Sequence, residues 1–350
     1  MNHSVLTTYD FIAQNKRRTW LLVLLFPLTF AALGYLMLFG VSRLTSEPSY
    51  ISAEEKAYYQ SVGQTPNATQ IAVDRANQLA SQFLPWLWLG AVLWIVISYY
   101  CGDQMILRGT NALEIYRDDQ PEIYNLVENL CIASGLPMPR VYIINDSSLN
   151  AFATGRDPAH ASIALTRGIV EKLERAELEG VVAHELSHIQ NRDIRLMLIT
   201  VTGISFFTFM AEICFRSALR STRGSGKNKG QAALLFLVLG IFFALYGYIV
   251  APLIRLAISR TREYQADATA AYMTRNPAAL ARALHKISGD ARVEVLDKRS
   301  SMAAMCIANP LEHMGLFSWV SGLTATHPPI EKRIQALLAM DRGGSFGNGI

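Results

Sequence analysis

Charge is what this sequence has least of. Only 17% of its 350 residues are Asp, Glu, Lys or Arg, against about a quarter in ordinary soluble domains, while 51% are hydrophobic. That imbalance calls for apolar segments that face lipid rather than water. Cysteine is scarce too. Cys101, Cys131, Cys214 and Cys306 stand far apart with no CxxC pair, which excludes a zinc ribbon or dithiol motif and argues against a dense disulfide framework. They read as small buried apolar side chains. The net charge of +4 is modest. No recognition motif or aromatic–basic stripe accompanies it, so nucleic acid is not an expected partner. No internal repeat is present.

What the chain does have is long uncharged runs. Residues 20–41 are about the length that crosses a bilayer. Lys16, Arg17 and Arg18 precede them, but the run is too long for a cleaved signal peptide and reads as a retained anchor. A second span covers 83–101, with Trp86, Trp88, Trp94, Tyr99 and Tyr100 mostly near its ends, where aromatic belts sit. Residues 196–254 read as an apolar helical hairpin. Its second arm, 231–254, is a full span; its first, 196–211, is short and interrupted by Glu212. Between the arms, 216–230 carries Arg216, Arg220, Arg223, Lys227 and Lys229 and no acid.

These runs divide the chain into an N-terminal segment (1–18), a first transmembrane helix (19–41), an extracytoplasmic loop (42–82), a second transmembrane helix (83–101), the hairpin (196–254) and a flexible tail (341–350). Segments 102–195 and 255–340 have globular composition and are expected to form one domain. Pro121 opens a helix whose apolar face is Ile123, Leu126, Val127 and Leu130, and Gly135 closes it. Residues 141–144 and 162–166 read as short strands, and 150–155 as a turn-rich segment. Residues 174–191 show helical spacing, with Leu178, Val181, Val182, Leu186 and Ile189 on one face. The fold class expected is α+β, mainly α.

The stretch that carries chemistry is His184-Glu185-Leu186-Ser187-His188, an HExxH pattern on that helix. One turn separates the histidines, so both imidazoles leave one face and can share a metal. Glu185 stands beside the first of them, placed as general base toward water activated by zinc. A catalytic zinc needs a third protein ligand and one open position. The metzincin pattern would need glycine at 191 and histidine at 194; the chain has Asn191 and Ile194. Intramembrane proteases carry the motif inside a lipid-facing span, yet Glu177, Glu179, Asn191, Arg192 and Asp193 flank it here. The remaining class takes a glutamate from a second helix. Glu263 and Asp267 offer ExxxD on one face. By itself this is an ordinary solvated helix face; beside HExxH it reads as a zinc ligand, Glu263, and a hydrogen-bond partner for a ligand histidine, Asp267.

The chain resembles the HtpX-type membrane metalloproteases, which share a peptidase family with the CAAX prenyl endopeptidases. The likeness rests on residues 150–155 (NAFATG), 165–168 (LTRG), 183–193 (AHELSHIQNRD), 259–267 (SRTREYQAD) and 326–333 (THPPIEKR). It implies a gluzincin-like catalytic domain, an active-site helix with a small β-sheet, one bound zinc per chain, and degradation of damaged membrane proteins. It sets Asn150, Ala151, Phe152 and Ala153 beside the cleft, where strand addition would align an extended substrate; an ordinary turn is the competing reading. His327 is expected either to stabilise the oxyanion or to cap the last helix. Arg333 can pair with an active-site carboxylate, but a solvated helix charge is the expected reading.

Lys16 to Arg18 favour a cytoplasmic N terminus and, after two crossings, a cytoplasmic catalytic domain in a bacterial inner membrane. The basic 216–230 loop would then lie outside, against the positive-inside rule, unless the hairpin is shallow or protein-covered. The expected activity is that of a multi-pass zinc metalloendopeptidase acting on polypeptides, with membrane proteins in quality control as its substrates and the lipid bilayer as its surroundings. A non-catalytic membrane scaffold with a structural zinc, and prenyl-protein processing, are the alternatives. A structural site has no need of Glu185, which argues against the scaffold.

Overall fold

The computed structural model describes residues 8–44, 52–63, 68–222, 229–257, 260–289, 306–307 and 328–341. They are mainly helical, with one small mixed sheet. The chain divides into two compact units, one of residues 20–96 and 207–248, the other of 1–19, 97–206 and 249–350.

The first unit draws on four long helices, α1 (Thr8–Leu44), α3 (Ala68–Gly109), α7 (Asp193–Thr222) and α8 (Lys229–Ala257), and on the short α2 (Ala53–Ser61). Phe30 of α1, Phe207 of α7, and Phe242 and Tyr246 of α8 stack on one another, with Phe30 to Tyr246 at 5.4 Å between ring centroids. Thr29 Oγ1 lies 2.7 Å from the Tyr246 hydroxyl. Outward, Trp20, Leu24, Trp86, Leu93, Leu234 and Leu245 are exposed, far more apolar surface than a water-facing helix tolerates. Among the described residues two helices are long and apolar enough to cross a membrane by length and composition, Ala68–Gly109 and Asp193–Ser221.

Two segments carry structure that the sequence reading did not specify. Glu212, which ends the uncharged run of the first hairpin arm, does not end the helix: α7 runs through it, and Glu212 pairs with Arg216 one turn on, so the charge is neutralised on the helix surface. The 42–82 segment, a loop or small extramembrane insertion in the sequence reading, is partly helical. It contains α2, closed at its N terminus by a Ser52–Glu55 capping box, and the first turns of α3. Glu55 takes two hydrogen bonds from Arg75, both 2.6 Å, and Tyr59 donates to Asp74 at 2.6 Å, which docks α2 on α3.

The second unit is built on a four-stranded sheet of order β1-β2-β4-β3: β1 (Leu113–Ile115), β2 (Arg140–Ile144), β3 (Ala151–Gly155) and β4 (Ala161–Thr166). β2 and β4 are parallel; the outer pairings are antiparallel. The period-two pleat splits the strands between two cores. Val141, Ala151, Ala153, Ile163 and Leu165 face the helices α4 (Pro121–Ser134), α5 (Arg167–Lys172), α6 (Arg175–Gln190), α9 (Arg260–Thr274), α10 (Pro277–Ser288) and α11 (Ile330–Asp341). Tyr142, Ile144, Phe152 and Ala164 face Ile106 and Leu107 at the end of α3 and Leu198 and Val201 at the start of α7.

Both faces are therefore covered, and every residue of β3 and β4 is buried. This overturns the turn-rich reading of 150–155. A strand covered on both sides loses the apolar–polar alternation that marks a half-exposed one. The expected helices at 121–134 and 174–191 form, with Gly135 in the left-handed region at φ 68° and the predicted apolar faces buried.

Gly168 lets the β4–α5 corner close. It donates to Asp146 O at 3.0 Å, and a Cβ there would come within 2.0 Å of Ser147 O and 2.5 Å of Ser148 O, both backbone. Gly168→Ala is expected to destabilise this unit by about 3 kcal/mol through overpacking. Thermal unfolding of the detergent-solubilised protein checks this; an unchanged midpoint would contradict it.

Candidate metal centre

Helix α6 is secured at its start by a capping box between Glu174 and Glu177. Lys286 of α10 donates to Glu177 Oε2 at 2.7 Å. Two turns on, the helix presents His184, Glu185 and His188. His184 and Glu185 are 1% and 2% exposed, so the site is taken out of water. The imidazoles meet edge to face at 4.8 Å between centroids, with their Nε2 atoms 3.2 Å apart.

The outer nitrogens are both committed to carboxylates. His184 Nδ1 lies 3.0 Å from Asp267 Oδ1 and His188 Nδ1 3.0 Å from Asp193 Oδ2. A carboxylate only accepts, so each Nδ1 carries the proton and each Nε2 turns toward the other ring. An arginine backs each carboxylate. Arg333 of α11 grips Asp267 through two bonds of 2.8 and 2.7 Å, and Arg262 of α9 donates to Asp193 Oδ1 at 2.8 Å. Helix α9 brings Glu263 in on the remaining side, with Oε2 3.7 Å from His184 Nε2 and Oε1 3.7 Å from His188 Nε2.

This arrangement seeks a cation. Two Nε2 lone pairs face each other and Glu263 faces both. Burial, with Arg333 and His188 nearby, pushes His184 down to about 4. Burial also disfavours charge on His188, but Asp193, Glu263 and Glu185 outweigh it and push that residue up to about 9. Likewise, burial disfavours the Asp267 carboxylate, yet Arg333 and His184 hold it down to about 2. Four buried carboxylates (Glu185, Asp193, Glu263, Asp267) meet two buried arginines (Arg262, Arg333). With both imidazoles neutral, as metal ligands must be, the excess of two negative charges matches a divalent ion.

Geometry agrees with that charge count. Ligand atoms of His184, His188 and Glu263 all lie within 4.8 Å of one another. A tetrahedral ion with N and O ligands at about 2.0–2.1 Å holds them about 3.4 Å apart, close to the 3.2 and 3.7 Å separations found. The residues therefore fit a metal such as zinc, the acidic and imidazole donor set being one that zinc takes.

Glu185 lines the same small cleft as His184 and His188, with Ala153 of β3, Asp193, Ile194 and Met197 of α7, and Cys306 and Ile307. Asn150 is buried at the mouth of β3, where its Oδ1 accepts from Ala151 N–H at 3.0 Å. Ala151, Phe152 and Ala153 lie within β3, with Phe152 on the face turned to α3 and α7. His327 lies outside the described residues. The sequence reading of Arg333 as a solvated charge is wrong: its side chain is fully buried. Paired carboxylates and a backbone carbonyl, Ile307 O at 3.1 Å, offset its desolvation.

Asp193 and Arg262 were missed. Asp193 follows the α6 C-cap by two residues, and the backbone folds it back through Arg192, in the left-handed region at φ 59°. A left-handed residue just past the C-cap is a common way to end a helix, though it costs a non-glycine residue such as Arg192 some strain. Its one sequence signal was an acid five residues after the second histidine. Replacing Arg333 by Met should leave Asp267 buried without its counter-charge and cost about 3–5 kcal/mol. Denaturant unfolding measures this, and a loss below about 1 kcal/mol would show that Arg333 is not what balances Asp267.

Comparison with known proteins accords with this geometry. The family model "Peptidase family M48" matches residues 117–341. Protease HtpX homolog of Bacteroides fragilis is 41% identical over 327 residues, covering 93% of this chain and 96% of that one. Protease HtpX homolog of Tropheryma whipplei is 42% identical over 262 residues, covering 75% and 87%. A crystal structure of S. mikatae Ste24p aligns with TM-score 0.42 and 22% identity over 70% of this chain and 56% of that one, a likeness too distant to bear on fold or activity. On the family match and these identities, the chain belongs to peptidase family M48, as an HtpX-like metalloprotease.

Proposed function

We propose that this protein is a membrane-embedded zinc endopeptidase whose ligands are His184, His188 and Glu263 and whose general base is Glu185. The observation that carries the reading is the convergence of the three donor groups within 4.8 Å, in a cleft that Glu185 also lines. When bound, zinc supplies Lewis acidity to water and to the peptide carbonyl. Glu185 takes the proton of the attacking water and passes it to the leaving amine nitrogen. Asp267 and Asp193 hold the two imidazoles in the tautomer that leaves Nε2 for the metal. Asn150 to Ala153 are assigned to alignment of an extended substrate, and His327 to the oxyanion.

Segments 102–195 and 255–340 make the catalytic domain in this reading, and the apolar helices hold it at a bacterial inner membrane, facing the cytoplasm. The two membrane-length helices and the exposed Trp and Leu side chains support the anchorage. Substrates are polypeptides, with damaged or misassembled membrane proteins as the class that such anchorage brings within reach.

In a casein digestion assay, Glu185→Gln should lower cleavage about 10²- to 10⁴-fold while one zinc per chain stays bound by mass spectrometry. His184→Ala and Glu263→Ala should lose both zinc and activity. Asp193→Asn and Asp267→Asn are expected to weaken zinc about 10- to 100-fold, read by chelator competition. Full activity in the Glu185 variant, or wild-type protein that takes up no zinc, would sink the assignment.

A further inference from the structure

β3 is the edge of the sheet, paired with β4 on one side only. Along it the carbonyls alternate. Asn150 O accepts from Thr166 N–H of β4 at 3.0 Å, so Ala151 O points outward from the sheet. The outward partner is Ile307, whose N–H reaches Ala151 O at 3.0 Å. The Ile307 carbonyl accepts from Arg333 Nη1 at 3.1 Å. That guanidinium stands 3.4 Å from His184 Nε2 through its Nη2. Ile307 is 2% exposed and Cys306 1% exposed, and both line the cleft shared by His184, Glu185 and His188.

A residue whose N–H is taken by a sheet edge, whose carbonyl is taken by a buried arginine, and whose side chain is sealed among apolar groups is held as an added peptide strand is held. An extended polypeptide cannot lie along β3 and reach the histidine pair while Ile307 is there. We propose that Cys306–Ile307 holds the place of a substrate residue in this cleft, and that the substrate accepted is an extended chain presenting a branched aliphatic side chain at that point, which binds by displacing the dipeptide. This rests on the peptidase reading and adds to it a substrate class and an internal competitor. The chemistry of the pocket favours the aliphatic residue. Beside its histidines and acids the cleft is lined by Ala153, Ile194 and Met197, and Ile307 belongs to the apolar core that also holds Ala151, Ala153 and Leu186, where a charged side chain would be desolvated.

An internal occupant lowers apparent affinity by the fraction of molecules in which it has left. The test uses the full chain in detergent with zinc bound, in the Glu185→Gln background so that nothing is cleaved. Two fluorescein-labelled dodecapeptides are titrated by anisotropy, one with a central Ile in an alanine-rich chain and one with Asp in its place. Ile307→Pro removes the N–H bonded to Ala151, and the Ile peptide should then bind about tenfold more tightly. The Asp peptide should bind weakly to both forms. Independently of any change at 307, hydrogen exchange of E185Q protein should show the Ile307 amide protected when free and exposed at saturating Ile peptide. A folded I307P protein with unchanged or weaker affinity, an Ile307 amide that stays protected under peptide, or no peptide binding at all would overturn the inference and make the dipeptide a fixed wall of the cleft. If I307P loses its thermal transition, the exchange experiment decides alone. Casein cleavage by wild-type protein is scored in parallel: cleavage without displacement sinks this inference only, whereas absence of cleavage sinks the peptidase reading.

Discussion

Two imidazole Nε2 atoms stand 3.2 Å apart, and the outer nitrogen of each ring already gives its proton to a carboxylate. Lone pairs so placed repel unless a positive charge lies with them, and burial removes the water that would screen them. The surrounding residues maintain this unsatisfied arrangement. Arg333 and Arg262 hold the two aspartates, so the aspartates hold the rings. Glu263 closes the third side and brings the charge balance to that of a divalent ion. Removing either arginine would release the carboxylate it holds, and with it the ring orientation.

Such a site needs a rigid frame, because burying several charges is favourable only while their partners stay in place. The sheet with two covered faces provides it. One face packs against α4, α6, α9, α10 and α11, which bring in the histidines, Glu263, Asp267 and Arg333. The other packs against the end of α3 and the start of α7. Each fully buried Val, Leu or Ile contributes about 1.5–3 kcal/mol, which offsets the cost of desolvating the polar cluster between them.

The edge strand links frame and chemistry. Its outward carbonyl at Ala151, Arg333 and the histidine pair together form a short run of matched acceptors and donors, and Cys306–Ile307 lies along it. Arg333 thus contacts the residue that orients His184 and the backbone that lies in the cleft, so occupancy of the cleft and the setting of the histidine are joined through one side chain.

Elements whose signal is local can be read along the chain. HExxH at helical spacing, the apolar faces of α4 and α6, the Pro121 helix start, and the two acids of ExxxD were legible because periodicity and capping act over a few residues. Their placement on helices α6 and α9 follows those patterns. The remaining features depend on distant segments meeting. β3 shows no alternation because both its faces are covered. Asp193 reaches His188 because the backbone turns through Arg192. Arg333, a plain charge on a terminal helix in the sequence, becomes fully buried because Asp267, 66 positions away, supplies its counter-charge. Long-range pairing of charges in a dry interior leaves no periodic trace along the chain, and so the folded arrangement alone reveals it.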